Sequence, residues 1–301
     1  MFALISSLFA TIAWRARLGF QAPADDSTLL WRELWRDHFH HGYYDTHATP
    51  SLADHRLSQT RTIDEALAFA GITDDESTWP RTVIDVGCGV GGSARYIAKK
   101  LGAKCEGITV DPNQVKIAND LALAQGLADK ATFHVADAMD QPFADGQFDL
   151  VWVMESGEHM PDRKKFMSEL VRVVAPGGTI IIASWCHRDL SPDEKSLRPD
   201  ELHILNRACN AYEIPAWCSM ADYINLAQSF SLQDIKTADW SDNIAPFWPV
   251  ILRSSFTFDG LTSLFKSGWK TIKLILGLSV LKEGYDKKLI KFAIMTCRKP
   301  E

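Results

Sequence analysis

The sequence lacks several features that would narrow its function at once. Its six cysteines are scattered, with no CxxC pair and no histidine pair at zinc spacing, so it predicts neither a metal site nor a disulfide framework. It has no block of like charges, and its formal net charge of -6 argues against nucleic acid as a partner. It also has no internal repeat and no low-complexity tract. We therefore expect a globular chain that binds neither metal nor nucleic acid.

A long apolar run is lacking as well. The N-terminal stretch MFALISSLFATIAW is apolar, but it is shorter than the roughly 20 residues of a membrane-spanning helix. Phe2, Ile5, Phe9 and Ile12 recur at helical spacing, which suits a helix lying on a membrane surface, the remnant of a targeting peptide, or a helix packed on its own domain. Residues 1–28 are therefore predicted to be this segment and a linker.

Strands and helices alternate regularly from residue 81. The predicted strands lie near 81–86, 104–110, 131–136, 147–153, 178–184, 231–238 and 289–297, and helices lie near 92–101, 112–126 and 162–174. We interpret APGG at 175–178 as a turn that ends the third helix. The alternation predicts a doubly wound, mainly parallel, seven-stranded α/β sheet. An aromatic, helix-rich stretch after Trp185 predicts a helical cap insertion.

The glycine loop in VIDVGCGVGG (83–92) indicates a cofactor site. Its spacing fits GxGxxG, which by itself is weak support for a dinucleotide. Asp85 decides between cofactors, because a carboxylate just before the loop repels a pyrophosphate and attracts a cation. S-adenosylmethionine carries an ammonium and a sulfonium and no phosphate. We therefore expect this methyl donor to bind at Asp85 and at the loop residues Gly87, Cys88, Gly89 and Gly91, with no chemistry assigned to the thiol.

Other candidate cofactor ligands follow the next strands. Thr109 and Gln114 are placed to hold a ribose, with Asp111 as a competing candidate whose alternative role is to cap the helix that begins at Pro112. Asp137 and the Ala138 amide are placed to bind adenine, although Asp137 also suits a turn. Met154 opens the loop MESGEHMPD, in which Glu155, Glu158 and His159 are crowded together as in many functional sites.

Several motifs together resemble one family. They include DVGCGVGGSARYIA, FDLVWVMESGEHMPD, APGGTIIIASWCHRDLSPDE, PAWCSMADY, APFWPV and IKFAIMTCRKP. These motifs resemble the class I methyltransferases of the γ-tocopherol methyltransferase type, from about residue 30 to the C-terminus. The glycine loop is common to all class I methyltransferases, whereas MESGEHMPD and WCHRDLSPDE are more specific. The relatives of this family include plant N-methyltransferases of indole alkaloids.

The resemblance implies a reaction. A methyl group would pass from S-adenosylmethionine to an aromatic ring carbon ortho to a phenol of a prenylated chromanol, as in the conversion of γ- or δ-tocopherol to α- or β-tocopherol in vitamin E biosynthesis. The alternative enzyme is an N-methyltransferase of an alkaloid or another small amine. More remote alternatives are an NAD-dependent reductase and a non-catalytic protein that binds a lipid.

The resemblance also implies roles for individual residues. Because a phenol has a pKa near 10, its ring is a weak nucleophile until a base removes the proton. We expect His159 to be that base with Glu158 orienting it, and the segment DHFHHGYYD (37–45) supplies rivals in His40, His41, Tyr43 and Tyr44. The two tyrosines could instead face the sulfonium through their rings. The acceptor would lie against a wall of aromatic side chains, namely Trp185, Trp217, Phe247 and Trp248.

The expected division of the chain follows from these assignments. Residues 29–80 would form a helical lid over the cofactor, 81–186 the core that binds S-adenosylmethionine, and 187–301 the acceptor cap with the last strands. A basic amphipathic helix is predicted at 260–282. Because the phenolic substrate dissolves in lipid, we expect peripheral membrane contact through this helix or through residues 1–20. The expected location is the plastid envelope or thylakoid surface in a photosynthetic eukaryote, and otherwise a cytoplasmic membrane.

Overall fold

A computed structural model describes residues 37–249 and 277–301 of the chain. Its sheet is built from β1 (Thr82–Val86), β2 (Lys104–Thr109), β3 (Ala131–Val135), β4 (Phe148–Met154), β5 (Val174–His187), β6 (Gln233–Asp239) and β7 (Ile290–Arg298). The helices are α1 (Leu52–Phe69), α2 (Gly92–Leu101), α3 (Pro112–Ala124), α4 (Arg163–Val173), α5 (Pro199–Tyr212), α6 (Met220–Ser229), α7 (Ser241–Ile244) and α8 (277–286).

The order of the strands in the sheet is β3-β2-β1-β4-β5-β7-β6. The first five strands pair in parallel, while β7 runs antiparallel to both β5 and β6. This confirms the predicted doubly wound, mainly parallel, seven-stranded sheet. The strand order reverses between β1 and β4, and in such sheets ligands bind at the carboxyl ends of the strands at this point.

Two hydrophobic cores cover the two faces of the sheet. In β4, Leu150 and Trp152 belong to one core while Val151 and Val153 belong to the other, as expected from the two-residue repeat of a strand. All four side chains are fully buried. The continuous apolar sequence of β4 therefore reflects a central strand that is covered on both faces.

Local capping chemistry explains where two of the helices begin. Ser51 and Asp54 form a capping box at the start of α1, because each side chain accepts from the backbone nitrogen of the other residue. Asp111 accepts from the Asn113 amide at 2.8 Å at the start of α3, just before Pro112. The capping role for Asp111 is therefore confirmed.

The fifth strand starts earlier than the sequence predicts. We interpreted APGG as a turn, but β5 begins at Val174 and passes through these residues. Val174 pairs with Phe148, while Thr179 pairs with Leu150, so the extra residues form an irregularity in the ladder. Gly177 allows this, since its φ of 71° lies in the left-handed region.

Some expectations concern parts of the chain outside the description. Residues 1–28 and most of the basic amphipathic helix at 260–282 lie outside the described ranges. Between 37 and 249 and from 277 onward, none of the helices combines the length and the apolar character that crossing a membrane would require.

Candidate active site

A cavity of about 370 Å³ opens at the carboxyl ends of β1, β2, β3 and β4. It is lined by nine of the residues that the sequence predicts to bind the cofactor, which are Asp85, Gly87, Cys88, Gly89, Thr109, Gln114, Asp137, Ala138 and Met154. These residues are distant in sequence, and the parallel topology brings them together. The cavity therefore coincides with the predicted cofactor site.

Asp85 is the strongest electrostatic feature of this cavity. Its side chain is 3% exposed, and Oδ2 has no hydrogen-bond partner among the described residues. Burial raises the pKa of Asp85 to about 7, although the Ala94 amide and the charge of Arg95 oppose the rise. A buried carboxyl with an unpaired oxygen is costly unless a ligand supplies a donor or a positive charge. The site thus fits the ammonium group of S-adenosylmethionine.

The glycine loop is shaped by close approaches that exclude side chains. Gly87 has a φ of 82°, and a Cβ added there would lie 2.3 Å from the Cβ of Ser156. Gly91 has a φ of 76°, and an added Cβ would lie 2.4 Å from the ring of Phe133. Gly91 does not line the cavity and instead forms the N-cap of α2. Its role is therefore to start this helix close to the sheet.

The second and third strand ends place the other predicted cofactor ligands. The Thr109 hydroxyl donates to Gln114 Oε1 at 2.9 Å, so the two candidate ribose ligands are joined side by side. Asp137 Oδ1 accepts from the Met139 amide at 2.8 Å. The turn role of Asp137 is thus confirmed, and the residue also borders the cavity, where binding of adenine stays a prediction.

The loop after β4 separates the residues that we expected to act together. His159 lines the cavity and is exposed, and desolvation by the surrounding protein lowers its pKa while Glu155 opposes this. Glu158 is buried and accepts from the Ser184 hydroxyl at 2.8 Å. Burial raises the pKa of Glu158 to about 8, helped by the charge of Glu155. Glu158 does not line the cavity, and its carboxyl group is hydrogen-bonded to Ser184 rather than to His159.

Glu155 belongs to the loop that the sequence singles out, but no role of its own was predicted for it. It lines the cavity, and its carboxylate accepts from the backbone nitrogen of His41 at 2.6 Å and from Trp185 Nε1 at 3.1 Å. Its second contact with His41 joins Oε2 to Nδ1 at 2.6 Å. Burial alone would raise the pKa of Glu155, but the charge and hydrogen bonds of His41 hold it below its usual value. The available signal was its position directly after a buried strand.

The lid segment, which we define as residues 37–41, lies over the glycine loop. Phe39 and His40 line the cavity. A Cβ added to Gly92 would lie 1.9 Å from the carbonyl oxygen of Asp37, and one added to Gly89 would lie 3.4 Å from Phe39. The N-terminal end of the predicted lid therefore borders the cavity and packs against the glycine loop.

The two tyrosines of this region do not line the cavity. The Tyr44 hydroxyl is 2.6 Å from His55 Nδ1, and the side chain is buried. The Tyr43 ring packs edge-on against Trp240, and the guanidinium of Arg61 lies 5.2 Å from its centroid. The structure therefore gives Tyr43 and Tyr44 packing contacts instead of bringing them to the cofactor site.

The predicted acceptor residues are all buried, and three of them surround His41. The rings of Phe247, Trp185 and Trp248 have centroids 4.4, 4.9 and 6.4 Å from that of His41. Trp217 is also buried, and its Nε1 has no hydrogen-bond partner among the described residues. Glu155 joins the two regions, since it borders the cofactor cavity and bonds to both His41 and Trp185.

The residues that the structure describes contain no group of side chains suited to a metal ion. Among the described residues, no three His, Cys, Asp or Glu side chains are grouped so that they could hold a metal ion. The cysteines in the same ranges are unpaired thiols, and five of the six are buried.

Comparisons with known proteins agree with this geometry. The family described as "Methyltransferase domain" matches residues 84–182. The chain is 56% identical over 294 residues to "Tocopherol O-methyltransferase, chloroplastic" of Arabidopsis thaliana, covering 97% of this chain and 84% of that protein. It is 44% identical to "Norajmaline N-methyltransferase" of Rauvolfia serpentina, covering 89% and 92%.

A solved structure shares the fold. The geranyl diphosphate C-methyltransferase of Streptomyces coelicolor A3(2), solved with S-adenosylhomocysteine, superposes with a TM-score of 0.72 at 18% identity and covers 94% of this chain and 96% of that one. The cavity with its buried Asp85 fits a methyl donor, and the sequence identity to the Arabidopsis protein extends over nearly the whole chain. The chain belongs to the tocopherol methyltransferase family of class I S-adenosylmethionine-dependent methyltransferases.

Proposed function

We propose that this methyltransferase methylates an aromatic ring carbon ortho to the phenol of a prenylated chromanol, converting γ- or δ-tocopherol to α- or β-tocopherol. The observation that carries the proposal is the double role of Glu155, which borders the cofactor cavity and bonds to Trp185 in an aromatic cluster. A flat aromatic acceptor bound there would lie beside the methyl donor. The 56% identity to a protein named for tocopherol supports the same acceptor.

We assign the cofactor contacts as follows. Asp85 would pair with the ammonium group, Thr109 and Gln114 would hold the ribose, and Asp137 with the Ala138 amide would face the adenine. S-adenosylmethionine supplies an electrophilic methyl group on a sulfonium that leaves readily. The chain's contribution is therefore to align the acceptor with that methyl group and to exclude water, since alignment supplies much of the rate in such transfers.

Removal of the phenolic proton is the other task for the protein. A phenol of pKa near 10 is ionised at about one part in a thousand at neutral pH, and a positioned base gains roughly 10²- to 10⁴-fold. His159 and His41 are the bases to which the sequence points. His159 lines the cavity and His41 is bonded to Glu155, which supports a histidine at this border for the role.

The proposed organisation follows the sheet. Residues 81–186 would hold S-adenosylmethionine, 29–80 would cover it, and 187–301 would provide the aromatic wall and the last strands. In this arrangement the acceptor ring would lie against Phe247 and Trp248, which are 1% and 3% exposed. Both rings must therefore shift, or their neighbours must, when a chromanol binds.

N-methylation is the second candidate. It is supported by the 44% identity to the norajmaline enzyme, which differs from the tocopherol relative in its acceptor. Incubation of the protein with labelled methyl donor and a panel of phenols and amines separates the two. We expect label in tocopherols and none in alkaloid amines. Label in amines alone would contradict the proposal.

We also propose that the protein works in a plastid, on the surface of the envelope or the thylakoid. The support is the chloroplastic name of the Arabidopsis relative and the solubility of a prenylated acceptor in lipid. Liposome flotation of the full chain and of a variant lacking residues 1–20 tests the membrane contact. We expect the full chain to float with liposomes of plastid lipids, and failure of both proteins to float would refute this contact.

A further inference from the structure

His40 has a backbone that is fixed by α1. The Gln59 amide donates to the carbonyl oxygens of His38 at 2.6 Å and His40 at 3.0 Å. The Thr62 hydroxyl donates to the carbonyl oxygen of His41 at 2.8 Å. Three carbonyl groups of the lid segment are thus tied to one helix. A side chain carried here is held in position before any ligand binds.

The ring of His40 presents an unused nitrogen at the cofactor cavity. His40 is 4% exposed and lines the cavity, and its Nε2 is buried without a hydrogen-bond partner among the described residues. Its Nδ1 lies 3.0 Å from the carbonyl oxygen of His41. Because a carbonyl only accepts, Nδ1 carries the hydrogen and the neutral ring keeps its lone pair on Nε2. A buried acceptor of this kind calls for a donor on the ligand.

Glu155 supports this arrangement through His41. Its carboxylate binds both the backbone nitrogen and Nδ1 of His41, each at 2.6 Å. This clamp fixes the residue whose carbonyl oxygen holds His40 Nδ1. Burial lowers the pKa of His40, while the charge of Glu155 opposes this change. The ring is therefore neutral at neutral pH. If the ring took up a proton, the carboxylate of Glu155 would partly balance its positive charge.

The other histidines fit the task less well. His159 also borders the cavity, but it is exposed to solvent. The Nδ1 of His41 is bonded to Glu155, and its ring packs against Phe247 and Trp185 outside the cavity lining. His40 is the one of these three rings that combines burial with a place on the cavity wall.

We propose that His40 is the catalytic residue that takes the proton of the acceptor's phenolic hydroxyl, and that Glu155 is the positioning residue that fixes it through His41. The inference rests on the proposed function. The phenolic O–H bond breaks and an Nε2–H bond forms on His40. The electron pair left on oxygen increases the electron density at the ortho carbon, which forms a bond to the methyl group. The electron pair of the methyl–sulfur bond stays with sulfur. The ring C–H proton then leaves to water, and His40 returns its proton to the oxygen.

Activity variants give the first test. His40→Gln keeps an amide that can donate to the His41 carbonyl but lacks a basic nitrogen, and His38→Ala is the matched control in the same lid segment. We expect His40→Gln to lower kcat for a tocopherol by about 10²- to 10⁴-fold. Its rate should rise with pH toward the phenol's own pKa, and an acceptor with an acidic phenol should restore most of it. His38→Ala should stay within about threefold of the wild type.

Other titratable side chains lie close to His40 and bear on the pH dependence of the rate. Glu155 from the end of β4, His41 and His38 from the lid, and His55 from α1 all face it or lie close to it. His38 and His55 have pKa values lowered by burial to about 3 and about 4, so they remain neutral through the tested range. Glu155→Gln removes the positioning carboxylate, and we expect it to lower kcat more than it raises KM.

A spectroscopic test does not depend on turnover. A nitrophenol bound to the protein without methyl donor absorbs differently once its proton has moved. We expect the wild type to produce the phenolate band at a lower pH than solution does, and His40→Gln to abolish that shift. Calorimetric titration with S-adenosylmethionine checks that each variant keeps its fold and its cofactor site.

Three results would overturn the inference. These are turnover of His40→Gln within threefold of the wild type, an equal loss for acidic and ordinary phenols with cofactor binding intact, and an unshifted phenolate band in the wild type. If His40→Gln does not fold, the band in the wild type and in Glu155→Gln still decides. A wild type that methylates no phenol at all refutes the proposed function instead, and that result is read before any variant.

Discussion

Replacing the buried carboxyl of Asp85 should have opposite effects on folding and on cofactor binding. The pKa of Asp85 rises from 3.8 to about 7 on folding because the group is buried. Each unit corresponds to about 1.36 kcal/mol, so the ionised group destabilises the folded protein by roughly 4 kcal/mol. Since the folded state holds a proton that the unfolded chain has released, this cost is absent below pH 3.8 and complete above about pH 7.

Urea unfolding without cofactor measures this cost. We expect Asp85→Asn to be increasingly more stable than the wild type as pH rises from about 4 to about 8, by up to roughly 4 kcal/mol. Calorimetry should show the same variant binding S-adenosylmethionine roughly 10- to 100-fold more weakly, because a charge-assisted hydrogen bond is lost. A stability difference that does not change with pH, or unaltered affinity, would refute the electrostatic reasoning.

Three further variants probe the structure around the site. Gly87→Ala should lose roughly 2 kcal/mol or more of stability, because its Cβ would approach Ser156 at 2.3 Å, whereas Gly126→Ala, with a similar φ of 68° and open space, should lose less in the same urea assay. Glu158→Gln should keep near-normal turnover at neutral pH, since the carboxyl has a pKa of about 8 and is mostly protonated there. The stability of this variant relative to the wild type should rise between pH 4.5 and 8. A large loss of turnover would contradict the assignment of a protonated carboxyl. Arg188→Ala breaks ion pairs of 2.6 Å to Glu194 and 2.8 Å to Glu201, and it should lower the free energy of unfolding by about 2 to 3 kcal/mol. An unchanged free energy of unfolding would show that these ion pairs contribute little.

The features that the sequence predicts well are local or periodic. The apolar runs and the turns between them predict all seven strands to within a few residues of their observed bounds, except at the start of β5. Asp85, Thr109 and Gln114 could be found because each sits at a fixed offset from a strand end, and strand ends converge in a parallel sheet. Asp111 could be found because capping depends on its immediate neighbours.

The features that the sequence does not predict depend on contacts across the chain. Glu155 and His41 are 114 positions apart, and nothing local to either indicates that their side chains meet. The rings of Tyr43 and Tyr44 turn toward Trp240 and His55 because of the way α1 and α7 pack, which the motif itself does not encode. The start of β5 was missed because APGG is typical of a turn, while pairing with β4 keeps it in the sheet.

The position of the transferred methyl group tests the account most directly. The protein would be incubated with γ-tocopherol and S-adenosylmethionine carrying a ¹³C methyl group, and the product would be examined by ¹³C NMR. We predict a single labelled signal from a methyl group on the aromatic ring carbon ortho to the hydroxyl. A labelled methoxy signal, or label that appears only in an amine acceptor supplied in competition, would contradict the account.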